Sequence, residues 1–167
     1  MPFQVFLWSA LTCCLQIGRL NYTSGEIVEY PLPLSAFGPA VVRANFTNPD
    51  RVCFTSFLSG SNSCLFTDNG TVQVFPNTGI AAPISFPAEN TKDLRRNDTI
   101  YYSTASQNEI NILNITNGAI NKITYPGTLI AEPISVPFGL NVMMNYGPGA
   151  AVFFAEVTQN RVVRYQL

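Results

Sequence analysis

Hydrophobic and polar positions along this chain alternate in short runs and never settle into a helical period. Ile27-Val-Glu-Tyr30 and Val72-Gln-Val-Phe75 are polar–apolar alternations, while Val52-Cys-Phe54, Ile100-Tyr-Tyr102 and Val152-Phe-Phe154 are compact β-branched and aromatic runs. Each is bounded by Gly, Pro, Asn or Asp, the residues of tight turns. No stretch repeats its apolar residues at helical spacing between caps, so the pattern predicts strands and almost no helix.

The runs also recur in a fixed order. One phrase reads Gly25-Glu-Ile-Val-Glu-Tyr30-Pro31, returns as Gly70-Thr-Val-Gln-Val-Phe75-Pro76, and again in longer form from Gly118 to Tyr125-Pro126. A second is Gly38-Pro39-Ala-Val-Val42, then Ala82-Pro83-Ile-Ser-Phe86, then Glu132-Pro133-Ile-Ser-Val136. The aromatic runs from Val52, Ile100 and Val152 form the third, and runs starting at Asn62, Asn108 and Asn160 the fourth. Equivalent positions step by 44 to 52 residues. Four strands at this period are the blade of a β-propeller.

The N-terminal segment fits out of turn. Val5-Phe-Leu-Trp-Ser9 matches the third phrase and Leu15-Gln-Ile17-Gly-Arg-Leu20 the fourth. Read this way, Met1–Leu15 holds a strand in preference to a secretory leader, since no Lys or Arg precedes its apolar run. The expected architecture is all-β, a propeller of four-stranded antiparallel blades. Its units are two strands in 1–24 and blades in 25–69, 70–117 and 118–167. The turns Asp68-Asn-Gly70 and Asn117-Gly118 are expected to link consecutive units. About three and a half blades leave the ring incomplete, so either missing blades of a longer propeller or a second copy would complete it. With a second copy, a ring of seven is expected.

At this point the residues carry a family resemblance. Gly147-Pro-Gly149-Ala-Ala-Val-Phe153-Phe154-Ala-Glu156 resembles the G-P-D-G-x-x-W-F-T-E signature of virginiamycin B lyase-like propellers. Gln16-Ile-Gly-Arg-Leu20 and Gly25-Glu-Ile-Val-Glu-Tyr30-Pro-Leu-Pro33 are similar to the two phrases that follow it in that family. The resemblance implies relatives of streptogramin lyases, which open a cyclic depsipeptide by magnesium-assisted elimination. It would make Glu156 a metal ligand at one mouth of the channel, with a catalytic histidine beside it. Gluconolactonase-type and NHL-type propellers are the nearest alternatives.

Composition changes this picture at one place. The 167 residues include no histidine, so the base that such an elimination needs is absent. Ser56 and Thr104 stand where Glu156 stands in the other copies. The expectation is therefore a lyase-like propeller without lyase activity, or a binding scaffold for a small ligand, glycan or protein, or a truncated remnant. Nine basic against ten acidic residues give neither nucleic acid nor membrane a charged footprint.

Cys53 and Cys64 flank a polar turn across which a disulfide can form, and two buried thiols are the equal alternative. Five Asn-x-Thr acceptors, at Asn21, Asn45, Asn69, Asn97 and Asn114, lean toward an extracellular chain with glycans.

Overall fold

The computed structural model describes residues 6–11, 15–44, 50–77, 87–92, 98–104, 109–124, 137–146, 149–156 and 161–167. The alternating runs form strands and the residues between them form turns. The first sheet holds β1 (Phe6–Leu11), β2 (Gln16–Asn21) and β3 (Ile27–Pro31). The second holds β4 (Pro39–Ala44), β5 (Arg51–Ser56), β6 (Ser61–Phe66) and β7 (Val72–Pro76). A third follows with β8 (Pro87–Lys92), β9 (Thr99–Thr104), β10 (Glu109–Asn114) and β11 (Ile120–Thr124). The last has β12 (Pro137–Tyr146), β13 (Gly149–Glu156) and β14 (Arg161–Gln166). Every neighbouring pair is antiparallel and consecutive in sequence, the meander of a propeller blade. A single 3-10 turn, Leu34–Ala36, precedes β4, and no described helix is long and apolar enough to cross a membrane.

The period expected from the sequence is present, but its phase differs. Units beginning at 25, 70 and 118 each open with the strand that closes the preceding sheet: β3 pairs with β2, β7 with β6 and β11 with β10. The turns before them are the reason. The N–H groups of Gly25, Gly70 and Gly118 each donate to the carbonyl four residues back at 2.8 Å. All three glycines sit at φ between +71 and +76°, a region that costs glycine little. A turn this tight returns the chain beside the strand it has just left, so it makes a hairpin and cannot lead to a new sheet. The longer connection after Pro31 makes that step instead. Gly38 ends it with φ +71°, and a Cβ there would lie 2.9 Å from the backbone nitrogen of Leu58.

In the second and third copies the first strand begins after the second phrase, whereas β4 starts inside it. β4, β8 and β12 start at Pro39, Pro87 and Pro137, which pair with Ser56, Thr104 and Glu156. Residues 78–86 and 125–136, which carry that phrase in the second and third copies, lie outside the described residues. Each of these strands slips register soon after its proline. A residue without an N–H is tolerated at a strand's first position, and the bulge bends the strand as the sheet turns inward.

β1, β4, β8 and β12 meet one another in succession. The sheets stack along that line and bury three apolar clusters, one in each gap. Ile17, Tyr30 and Leu32 meet Phe54 and Leu65 between the first and second sheets. Cys53, Cys64 and Phe75 meet Ile100, Tyr102 and Leu113 between the second and third. Tyr101, Ile110 and Ile123 meet Val152 and Phe154 between the third and fourth. Of the aromatics that the repeat reading assigns to packing between blades, Trp8, Tyr101, Tyr102 and Phe154 lie in these gaps, while Phe153 is half-buried and outside the clusters.

Candidate functional site

One end of the arc gathers the long β3–β4 connection and the turn 57–60 between β5 and β6. Phe57 N–H donates to the Gly38 carbonyl at 2.7 Å, and Ser59 N–H to that of Phe37 at 3.1 Å. Ser56 sits at this end, completely buried, with its Oγ 3.2 Å from Ser63 Oγ. Ser59 and Ser61 share a hydroxyl contact of 3.0 Å, and Ser61 Oγ donates to the Ser35 carbonyl at 3.0 Å. The serines therefore tie the loop to the sheet through hydroxyls that are already satisfied. Apart from Ser56, which stands at the repeat position of Glu156, nothing in the sequence distinguished them, since serine is common in every turn.

Glu156 closes β13 at the repeat position of Ser56, in register with Arg161 on β14 and Pro137 on β12. Among the described residues, no group of three or more His, Cys, Asp or Glu comes together to hold a metal ion. Magnesium needs several oxygen ligands in a tight octahedron, and a strand-end glutamate opposite an arginine does not fit that requirement. No step through magnesium is derived for this chain.

Cys53 and Cys64 face each other across β5 and β6, with their Cα atoms 4.0 Å apart, and the structure joins their sulfurs. Both are buried in the gap between the second and third sheets. Asn21, Asn69 and Asn114 all lie in the hairpin turns at the opposite end of the arc. Asn21 Oδ1 accepts the N–H groups of Thr23 and Ser24 at 2.9 and 3.3 Å. Asn114 Oδ1 does the same for Thr116 and Asn117 at 2.8 and 3.2 Å, and Asn69 Oδ1 accepts from Thr71 at 2.8 Å. The Asn-x-Thr spacing thus has a turn-forming use in its own right. Asn114 Nδ2 donates to Asp98 Oδ2 at 2.7 Å, so the atom that would carry a glycan there is engaged. Asn45, Asn97, Asn108 and Asn160 lie outside the described residues.

Asn62 is the residue that sequence reasoning read only as a turn former. It lies inside β6, paired with Thr55 and Phe75, and both polar atoms of its amide are buried without a hydrogen-bond partner. Counting back from the hairpin turns places Ile110 and Val162 at the same repeat position, so the position itself asks for an apolar residue. An orphaned buried amide costs about 1–3 kcal/mol. Asn62→Ile is expected to raise stability by about 1–2 kcal/mol, read as a higher urea midpoint at unchanged slope. A lower midpoint would mean that the amide has a partner in solution, such as an enclosed water.

Arg19 is the other unannounced feature, its guanidinium 4.8 Å from the Phe6 ring centre and 5.8 Å from that of Tyr30. Arg51 repeats the device over Phe66 at 4.7 Å. Both hold the charge of an amphipathic side chain against an aromatic face.

Neither a family model nor a curated protein sequence matches the chain. Solved structures do. A calcium-binding protein, regucalcin, from Agrobacterium tumefaciens str. C58 superposes with a TM-score of 0.64 at 12% identity, over 96% of this chain and 49% of that one. Kuenenia stuttgartiensis hydrazine synthase gives 0.63 at 11% identity, over 95% and 44%. The Cps50 (Swd1) β-propeller domain of Myceliophteria thermophila gives 0.60 at 11%, over 97% and 55%. The chain spans about half the length of each. With the sheet topology, these matches define an incomplete β-propeller. At such identities the likeness is one of fold alone.

Proposed function

We propose that this chain is a binding scaffold of the virginiamycin B lyase-like type, one that holds a small molecule or glycan and performs no elimination. The observation that carries the reading is the composition of the repeat position that Glu156 occupies, which the resemblance would put at a channel mouth. Of the three repeats only the last carries a carboxylate there, Glu156, with Ser56 in the second sheet and Thr104 in the third, and the sequence has no histidine to act as base. Binding needs only shape and hydrogen-bonding groups, whereas elimination needs a base within reach of the proton it removes.

The cystine and the exposed Asn69 acceptor support an extracellular setting for this scaffold, since disulfides persist where the medium is oxidising. The test is thermal denaturation against a panel of mono- and oligosaccharides and cyclic peptides, each with and without chelator. A ligand that raises the midpoint equally in both conditions supports the scaffold reading. Stabilisation that appears only with magnesium, accompanied by ring opening of a cyclic depsipeptide, would replace it with the lyase reading.

A further inference from the structure

The three glycine turns share one design, and in two of them it sets up a reaction. Ser24-Gly25, Asn69-Gly70 and Asn117-Gly118 stand at the same place in the repeat. In each, the side-chain oxygen of the first residue accepts the N–H two residues on. The distances are 3.3 Å from Glu26 to Ser24 Oγ, 2.8 Å from Thr71 to Asn69 Oδ1 and 2.9 Å from Ala119 to Asn117 Oδ1. Serine serves the turn as asparagine does, so the fold does not call for an amide there. An asparagine adds a lability that serine lacks, because the nitrogen of the next residue can attack its Cγ. Glycine, without a Cβ, leaves that nitrogen the most open.

We infer that Asn69 is a site of spontaneous conversion to aspartate and β-linked aspartate, with water as the co-reactant. In the first step the Gly70 nitrogen gives its proton to hydroxide or a buffer base and forms a bond to Asn69 Cγ. Thr71 N–H already donates to Oδ1, the oxygen on which negative charge then develops, so it stabilises that state as an oxyanion donor does. The Cγ–Nδ2 bond breaks, and ammonia leaves with a proton taken from water. Water opens the resulting five-membered imide at either carbonyl. Opening at Cγ leaves an ordinary aspartate. Opening at the main-chain carbonyl carries the chain through Cγ and adds one methylene to the turn.

The two Asn-Gly turns differ in what holds the attacking nitrogen. Both glycine N–H groups donate to the carbonyl four residues back at 2.8 Å, and that bond must open before attack. For Gly118 the acceptor is Asn114, whose own amide is well fastened: Oδ1 accepts the N–H groups of Thr116 and Asn117, and Nδ2 donates to Asp98. Gly118 is also half-buried, and a Cβ on it would lie 3.8 Å from the Phe75 ring. For Gly70 the acceptor is Phe66, whose phenyl side chain has no hydrogen-bonding group, and Asp68, Asn69, Gly70 and Thr71 are all exposed. The Asn69 turn is therefore the easier one to open.

Conversion has a consequence for β7. The tight turn sets β7 beside β6, with Val72 opposite Leu65 and Phe75 opposite Asn62. A methylene inserted ahead of Gly70 lengthens that turn, and Phe75 belongs to the cluster between the second and third sheets. The modification adds a negative charge and loosens the hairpin as the chain ages.

This inference rests on the turns alone and is independent of the scaffold reading. The experiment incubates the whole chain, produced in a host that adds no glycans, in mildly alkaline buffer and follows the loss of ammonia by peptide mapping and mass spectrometry. In the folded chain Asn69 should convert about tenfold faster than Asn117, since the hydrogen bonds of Asn114 hold the other turn closed. In denaturant the two should convert alike. The rate should rise about tenfold per pH unit, because the attacking nitrogen is the deprotonated form of a group that ionises far above the working range. Asn69→Ser should abolish the mass change at this turn and leave the fold intact. Hydrogen exchange of the aged chain should show lost protection in β7, while Asn69→Asp, which adds the charge without the methylene, should keep it. An Asn69 that stays intact, or converts no faster than Asn117 in the folded chain, would overturn the inference. Unchanged β7 protection in the β-linked product would overturn its structural consequence.

Discussion

Replacing Phe54 by alanine is expected to cost about 3–5 kcal/mol, the largest effect of any single substitution considered for this chain. Phe54 is completely buried and reaches from the second sheet into the cluster of Ile17, Tyr30, Leu32, Ala36 and Leu65. Its ring is one of the few large groups that hold the first sheet, with only three strands, against the rest. Removing it loses the transfer free energy of the ring and leaves a cavity walled by two sheets that cannot collapse independently. Domains of this size are stable by about 5–15 kcal/mol, so the loss is a large part of the whole. Urea unfolding followed by circular dichroism measures it, and native-state hydrogen exchange localises it. Protection should fall first in β1 to β3. A loss under about 1 kcal/mol would mean that the first sheet is not seated on Phe54 as the structure has it.

Removing the Cys53–Cys64 link should cost about 2–3 kcal/mol. The two residues are 11 apart in sequence, and in the chain-entropy account a loop of that size restricts the unfolded chain by about that much. Their burial between the second and third sheets adds a kinetic consequence. Reductant should act only after the hairpin opens, so loss of the link should follow unfolding and not precede it. The double variant Cys53→Ala/Cys64→Ala tests the first point by its urea midpoint. Thiol titration tests the link itself: Cys53 and Cys64 should be unreactive in denatured, unreduced protein and react once it is reduced. Four reactive thiols, or a double variant as stable as its parent, would show that the two residues serve the core as ordinary apolar side chains.

Strand existence and order were legible in the chain because each depends on neighbours in sequence. Val72-Gln-Val-Phe75 alternates, Ile100-Tyr-Tyr102 is β-branched and aromatic, and the glycines at 25, 70 and 118 mark turns, all without reference to anything distant. Even the placement of Cys53 opposite Cys64 needed only a hairpin of known register. The lyase-like chemistry was doubtful from the same text, since a missing histidine is visible in the sequence alone.

What the chain's text did not decide was which strands share a sheet. A repeat read on paper has no natural starting point, and placing it at Gly25 is as consistent as placing it at Pro39. Hydrogen bonding breaks that tie: the tight glycine turns force β7 and β11 onto the sheets before them, and only the longer connections step outward. The same holds for Asn62, which resembles a turn residue by type and becomes an orphaned amide only when two sheets close over it. Burial is likewise a matter of stacking. Leu20 and Leu113 occupy one repeat position, and the sheet packed over Leu113 makes it a core residue while Leu20 stays half-buried. Local propensity sets the strands of this protein, and the packing of one sheet against the next sets what each face is for.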